Sequence, residues 1–247
     1  MLDELGEDLA VIFVESQGAD ARRAESFAYQ KGWMGRGAAW TRERPASTGL
    51  GYLPSFILLD IDGRVLMKGN TAAMKSAIED AVEEQIDLAD ELPEGFERDF
   101  KKAWQALREG EWAEASERIE KEAEDEELAA QAAQLRERLT AALEREVATI
   151  EARVERGLLV EALERSERLV DAAEGLEEWH RRGVELVERL ESEEFEAEMD
   201  AAEAFEKLYE KVCEDGIEDH ARKLEKFAEK HPGTRAAERA LHLFRLV

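Results

Sequence analysis

The stretch that decides the fold of the first part of this chain is residues 53–67, LPSFILLDIDGRVLM. Pro54 leads into the apolar run Phe56–Leu59, and Asp62 and Gly63 then separate it from a second apolar run. An Asp-Gly pair between two apolar runs is a strong hairpin signal, because a type I′ turn needs positive φ at both of its central residues. Residues 53–67 therefore predict a β-hairpin that turns at Asp62 and Gly63.

Upstream of this hairpin, apolar residues come in short blocks separated by turns. Residues 9–14 form a continuous apolar run rich in β-branched residues, which predicts a strand covered on both faces. Asp20 is placed to cap a helix over residues 21–31. Three residues share the predicted inner face of that helix: Ala24, Phe27 and Ala28. Residues 38–41 follow as a short strand or an extended segment.

Downstream of the hairpin, the spacing of apolar residues predicts a helix over about residues 71–84. Four residues form its predicted inward face: Met74, Ala77, Ile78 and Val82. The predicted order over residues 1–90 is therefore β-α-(β)-β-β-α. This order is typical of an α/β domain with a mixed sheet flanked by helices.

The series resembles the second half of a thioredoxin-like (redoxin) domain, in which a cis-proline precedes a strand, an Asp-Gly hairpin follows and a helix closes the fold. The resemblance covers about residues 1–86 and implies a cis peptide bond at Pro54. It also implies that Leu53 and Pro54 form a loop that pairs with the backbone of a bound polypeptide. A complete domain of this family has the order β-α-β-α-β-β-α. The resemblance therefore implies that residues 2–8 end the first helix and that the domain is incomplete at its N-terminus.

The chemistry of that family comes from a Cys-x-x-Cys pair, and no cysteine precedes Leu53 here. The single cysteine, Cys213, has acidic neighbours near a predicted helix C-terminus, and this setting disfavours a reactive thiolate. The motif Glu177-x-x-His180 occurs once, whereas di-iron helical bundles use two copies. The sequence therefore predicts no catalytic residue, no metal site and no cofactor.

Residues 93–247 follow a different pattern, because strong helix formers dominate and apolar residues recur at helical spacing. Three segments share the order helix, glycine turn, helix, with an alanine where the two helices must approach closely. The glycine and alanine pairs are Gly110 with Ala115, Gly157 with Ala162, and Gly216 with Ala221. The pattern is similar to tetratricopeptide-type helical hairpins. Its glycines are 47 and 59 residues apart, more than the ~34 residues of a regular repeat, so the array is degenerate.

Two stretches of this half are long enough to predict extended helices. Residues 128–156 predict one long helix and residues 176–213 another, with the acidic run 191–200 solvated within the second. Helices of this length often pair as antiparallel coiled coils. The predicted organisation is an α/β domain over residues 1–90 and an all-α domain of helical hairpins over residues 91–247.

The formal net charge of −26 is spread over the chain, with 10 basic and 20 acidic residues in 1–100 and 24 and 40 in 101–247. Nucleic acids and anionic membranes both require basic patches, so the composition argues against these partners. The chain has no apolar run of membrane length and no leader-like segment at Met1. The prediction is a cytoplasmic protein if Met1 is the natural start, and an exported one if further sequence precedes it.

Two functions fit these patterns best, and a third is a structural helical assembly protein in which the redoxin-like part is vestigial. The first is a non-catalytic scaffold, in which a thioredoxin-like domain without thiols is joined to a helical domain that binds a protein or peptide partner. The alternative is a fragment of a thiol–disulfide oxidoreductase whose Cys-x-x-Cys lies upstream of Met1. The sequence leaves the oligomeric state open.

Overall fold

The computed structural model describes residues 9–31, 38–43, 46–51, 53–70 and 73–247. The described chain is mostly helical, with two small sheets in its first third. It divides into two compact units, which we call the α/β unit and the helical unit. The α/β unit comprises Met1–Ala89, Tyr209–Arg222 and Leu243–Val247, and the helical unit comprises Asp90–Leu208 and Lys223–His242. The predicted helix end at residues 2–8 lies outside the described residues.

The first sheet pairs β1 (Val11–Val14) with β2 (Ala38–Thr41) in parallel, with Val11 opposite Ala38. Helix α1 (Ala21–Gln30) lies between these strands in the chain. The predicted cap is confirmed, because an Asp20 carboxylate oxygen accepts a hydrogen bond from the Arg23 N–H at 2.9 Å.

The inner face of α1 differs from the prediction. Ala28 is buried as expected, but Phe27 is exposed and Tyr29 is buried in its place. Tyr29 packs edge-on against the Tyr209 ring at 6.2 Å, and the two hydroxyl oxygens are 3.3 Å apart. The buried face of α1 therefore includes Tyr29 and not Phe27, and it packs against a tyrosine that is distant in sequence.

The second sheet is the predicted hairpin, in which β3 (Phe56–Leu59) pairs antiparallel with β4 (Val65–Gly69). The turn is not of type I′, which needs a positive φ at both central residues. Gly63 has φ 78°, but Asp62 does not have a positive φ, because no described non-glycine residue does. One Asp60 carboxylate oxygen accepts hydrogen bonds from the N–H groups of Asp62 (3.0 Å) and Arg64 (2.7 Å). The Asp60 side chain therefore holds the turn, so only Gly63 needs the left-handed conformation.

Helix α2 (Lys75–Asp90) is the predicted closing helix, and it continues six residues beyond the predicted end. Ala81 and Val82 are its buried residues, whereas the predicted inward residue Ala77 is exposed. The Ile61 N–H donates to the Gln85 side-chain oxygen at 3.2 Å. This bond connects the middle of the helix to the hairpin turn, and position 71 lies outside the described residues.

A short 3₁₀ turn (Arg98–Phe100) leads into the remaining helices. In chain order these are α3 (Lys101–Glu109), α4 (Trp112–Glu122), α5 (Ala129–Glu155), α6 (Leu159–Ala172), α7 (Glu177–Leu190), α8 (Glu196–Asp215), α9 (Ile217–Lys230) and α10 (Arg235–Phe244).

The core of the helical unit is formed by apolar side chains that its helices turn inward, in keeping with the helical spacing of apolar residues in the sequence. Its large, fully buried side chains include Phe100, Ile119, Leu135, Leu143, Ile150, Leu169 and Leu190. All three predicted hairpin glycines have left-handed φ values: 78° at Gly110, 71° at Gly157 and 96° at Gly216. The paired alanines Ala115 and Ala162 are fully buried, whereas Ala221 is half-buried.

One long helix is confirmed and the other is wrong. The helix predicted over residues 128–156 is α5 (Ala129–Glu155), but residues 176–213 are divided between α7 and α8 by a break at residues 191–195. At the break the Ser192 hydroxyl donates to the Arg189 carbonyl oxygen at 2.7 Å, and Phe195 packs against the core. The acidic run is exposed, as predicted, but it interrupts the helix at the point where Phe195 packs, partly buried, against the core.

Candidate functional site

Exposed large apolar side chains are concentrated in the α/β unit. Among the described residues, every large apolar side chain that is strongly exposed belongs to that unit: Ile12, Val14, Phe27, Leu53, Leu59, Ile61, Val65, Leu66, Leu88 and Val247. Single exposed apolar residues are ordinary, whereas a concentration of them marks an interaction site. The candidate binding surface therefore belongs to the α/β unit.

Half of these residues lie on the β3–β4 hairpin or on the bend before it. We call them the hairpin surface: Leu53, Leu59, Ile61, Val65 and Leu66. They are between 43% and 58% exposed, and all five fall within 14 residues of sequence. The surface thus combines the bend, both strands and the turn of one local element.

Strand β3 has one neighbour in its sheet, which is β4. Because side-by-side pairing uses only one edge of a strand, the other edge of β3 offers N–H and C=O groups without a strand partner in the described chain. Natural edge strands are commonly protected by lysine, proline or a bulge. Strand β4 carries Lys68, whereas Phe56–Leu59 contains only large apolar residues, with a register irregularity at its end.

Strand β1 also exposes large apolar side chains, and they lie on one of its two faces. The prediction that residues 9–14 are covered on both faces is wrong for the described chain, because Ile12 is 60% exposed and Val14 is 40% exposed. Phe13, which points to the opposite face, is half-buried. An apolar run typical of a strand buried on both sides is therefore covered on only one side.

The two site residues expected from the resemblance lie directly before β3. The Leu53–Pro54 peptide bond is cis, as the resemblance implies, and both side chains are exposed. The Ser55 and Thr48 hydroxyl oxygens are 3.4 Å apart, which connects this bend to the preceding loop. Pairing of Leu53 and Pro54 with a bound polypeptide stays a prediction.

The loop after β1 does not offer an anion site, because a carboxylate of the chain already occupies its amide groups. The Glu15 carboxylate accepts hydrogen bonds from the N–H groups of Gln17 at 2.6 Å and Gly18 at 3.1 Å. Desolvation acts to raise the pKa of Glu15, but the N–H groups of Gln17, Ala19 and Gly18 outweigh it and hold the pKa below its ordinary value.

The thiol and two of the histidines can be placed in the described chain, where His220 Nε2 lies 2.9 Å from an Asp215 carboxylate oxygen. Cys213 is half-buried in α8 and forms no disulfide. His180 directs Nδ1 at the Val170 carbonyl oxygen at 3.1 Å, a contact within the helical unit. No cluster of three or more His, Cys, Asp or Glu side chains that could hold a metal ion occurs among the described residues.

The helical unit carries a strongly acidic cleft beside α4. It is lined by Glu97, Asp99, Lys121, Glu122, Glu124, Asp125, Glu127, Leu128 and Gln131. The Lys121 ammonium lies 3.7 Å from a Glu122 carboxylate oxygen, and the Gln131 side-chain oxygen accepts from the Glu97 N–H at 2.7 Å. The cleft is open and polar, without the apolar lining that small-molecule sites usually have.

The sequence predicts the bend of this site but not the exposed residues of the hairpin that follows it. Leu53 and Pro54 follow from the resemblance, whereas Ile61, Val65 and Leu66 were read only as parts of a hairpin. Their exposure depends on what packs against the hairpin in space, and no local sequence signal reports that.

A scan against protein-family models, a search of curated proteins and a search of solved structures each found no match to this chain. No helix in the described ranges is both long enough and apolar enough to span a membrane.

Proposed function

We propose that this chain is a non-catalytic protein-interaction module whose α/β unit binds a polypeptide at the hairpin surface. The unit is of thioredoxin-like type. The order β1-α1-β2-β3-β4-α2, with a parallel pair followed by an antiparallel hairpin, supports this assignment. The helical unit is a degenerate array of tetratricopeptide-like hairpins, which the glycine turns between α3 and α4 and between α5 and α6 support.

One observation carries the proposal. All the strongly exposed large apolar side chains of the described residues belong to the α/β unit, and half of them form the hairpin surface. Among the described residues the helical unit contributes none, so the exposure is not a general property of the chain. Localised apolar exposure of this kind is typical of protein-binding surfaces.

The hairpin surface alone supports only weak binding. Burying a Val or Leu side chain completely contributes about 1.5–3 kcal/mol, so five side chains that are already half-buried contribute about 5 kcal/mol together. Association costs about 4–15 kcal/mol in lost translational and rotational freedom. Apolar contact therefore needs a second source of free energy.

We expect the chain, with its net charge of −26, to bind a permanently unfolded basic polypeptide, reduced and carboxamidomethylated lysozyme, through the hairpin surface. The double variant Leu59→Gln/Val65→Thr should bind about thirtyfold more weakly, because two apolar contacts of ~1 kcal/mol each are lost. Fluorescence anisotropy of the labelled polypeptide measures the affinity, and far-UV circular dichroism checks that the variant is folded.

The matched control is Leu88→Gln, which changes an exposed apolar side chain of the same unit outside the hairpin surface. Its affinity should equal that of the unmodified chain. The proposal is wrong if the unmodified chain does not bind, or if Leu88→Gln weakens binding as much as the double variant.

A further inference from the structure

We propose that β3 accepts an additional strand, on the edge opposite β4, from a basic polypeptide in extended conformation. This inference rests on the proposed function and names the partner that the same surface binds. Three properties of the described chain support it: β3 has no described strand partner on that edge, Phe56–Leu59 contains no charged residue, proline or glycine, and residues 53–89 carry a net negative charge.

The backbone of β3 determines the conformation of the partner. Alternate N–H and C=O groups of Phe56–Leu59 point away from β4, and no other described strand pairs with them. A two-stranded sheet is marginal in water, and a third strand extends its hydrogen-bond ladder. Proteins that bind peptides by strand addition gain affinity from such main-chain hydrogen bonds. These bonds would supply the free energy of binding that the apolar contacts of the hairpin surface do not provide.

The two outer edges of the hairpin are not equivalent. Strand β4 carries Lys68, a residue that natural edge strands use to discourage pairing. Within Phe56–Leu59 there is no charged residue, proline or glycine. The added strand is therefore assigned to β3.

Charge selects a basic partner. Residues 53–89 contain three basic and seven acidic side chains, and two of the basic ones form ion pairs inside this segment, Arg64 with Asp62 and Lys75 with Glu79. Several of the acidic side chains of α2 are exposed: Asp80, Glu83, Glu84 and Asp87. Opposite charge favours association, and a second copy of a chain with net charge −26 would be repelled.

The probes are nine-residue peptides in which valine alternates with lysine, or valine with glutamate. Binding to the full chain is measured by fluorescence anisotropy at low and high salt. The lysine peptide should bind at least about tenfold more tightly than the glutamate peptide, and this difference should shrink as salt is added.

Backbone N-methylation tests the pairing itself. Alternate amides of an added strand face β3 and the rest face solvent. Two lysine peptides are therefore compared, one N-methylated at the odd-numbered residues and the other at the even-numbered residues. Methylation of one of the two sets should weaken binding about tenfold or more, because it removes the N–H groups that donate hydrogen bonds to β3. Methylation of the other set, whose N–H groups face solvent, serves as the matched control and should change binding little.

The outcomes separate this inference from the proposed function. Equal binding of both methylated peptides, with the loss in Leu59→Gln/Val65→Thr retained, overturns strand addition and leaves the proposed function standing. Equal binding of the lysine and glutamate peptides overturns the basic partner. A dimer of the chain in light scattering that Leu59→Gln/Val65→Thr dissociates would assign the edge to a second copy. Failure of every peptide and of the unfolded polypeptide to bind overturns both proposals.

Discussion

Replacing Gly157 by alanine is expected to lower the free energy of unfolding of the helical unit by about 3 kcal/mol. Gly157 has φ 71°, where an L-residue costs about 1–2 kcal/mol. An added Cβ would also lie 2.4 Å from Arg235 Cβ and 3.7 Å from Arg235 Cα. Because Cβ is fixed to the backbone of α10, the clash cannot be relieved by a change of side-chain rotamer.

Gly175→Ala is the matched control for this prediction. Gly175 also has a left-handed φ, 88°, but an added Cβ would meet no atom within 4 Å. The control should therefore lose only the backbone contribution, about 1 kcal/mol. Urea denaturation followed by helical circular dichroism measures both. Equal losses in the two variants would show that the close approach to Arg235 contributes nothing.

Arg165→Ala is expected to destabilise the helical unit by about 3 kcal/mol. The Arg165 guanidinium on α6 donates two hydrogen bonds to the Glu146 carboxylate on α5, Nε to Oε1 at 2.8 Å and Nη2 to Oε2 at 2.5 Å. The two side chains are only 11% and 14% exposed. Removing the guanidinium leaves a carboxylate largely shielded from water, and the lost solvation of an unpaired charge is the main contribution.

Two further variants test this explanation. Arg118→Ala removes an ion pair with Glu114 on the surface of α4, where both side chains are more than a third exposed, and should cost less than about 1 kcal/mol. Glu146→Leu/Arg165→Met removes both buried charges and should recover much of the stability lost in Arg165→Ala. The account of this pair fails if Arg165→Ala is no more harmful than Arg118→Ala.

Local chemistry in the sequence predicted the elements of the α/β unit well. Asp20 caps α1 because its carboxylate reaches the Arg23 N–H three residues later, a geometry written in the sequence. Gly63, Gly110 and Gly157 take left-handed conformations for the same kind of local reason. The hairpin and the glycine turns were therefore predictable before any long-range contact was known.

Long-range packing accounts for what the sequence did not predict. The buried face of α1 includes Tyr29 because Tyr209, 180 residues away, lies against it. At the break between α7 and α8, Phe195 packs against the core, although the acidic residues around it favour a continuous helix. No window of neighbouring residues contains either contact.

The candidate site follows the same division. The bend at Leu53 and Pro54 could be named from a local motif, but the exposure of β1 and β3 contradicts the pattern of their sequences. Continuous apolar runs are typical of strands covered on both faces, and Ile12 and Leu59 are nevertheless more than half exposed. Whether a strand is covered depends on its neighbours in space, so only the structure reveals the open edge.

Amide hydrogen exchange of β3, measured by NMR on the full chain with and without the valine–lysine peptide, tests the central claim most directly. In the free chain, the amides of Phe56–Leu59 should exchange faster than those of Leu135, Leu139 and Leu143 in α5, because an edge strand of a two-stranded sheet opens easily. Adding the peptide should slow the outward-facing amides of β3 by about tenfold or more. Amides of β3 that are as protected as those of α5 in the free chain, or that do not change when the peptide binds, would contradict the account.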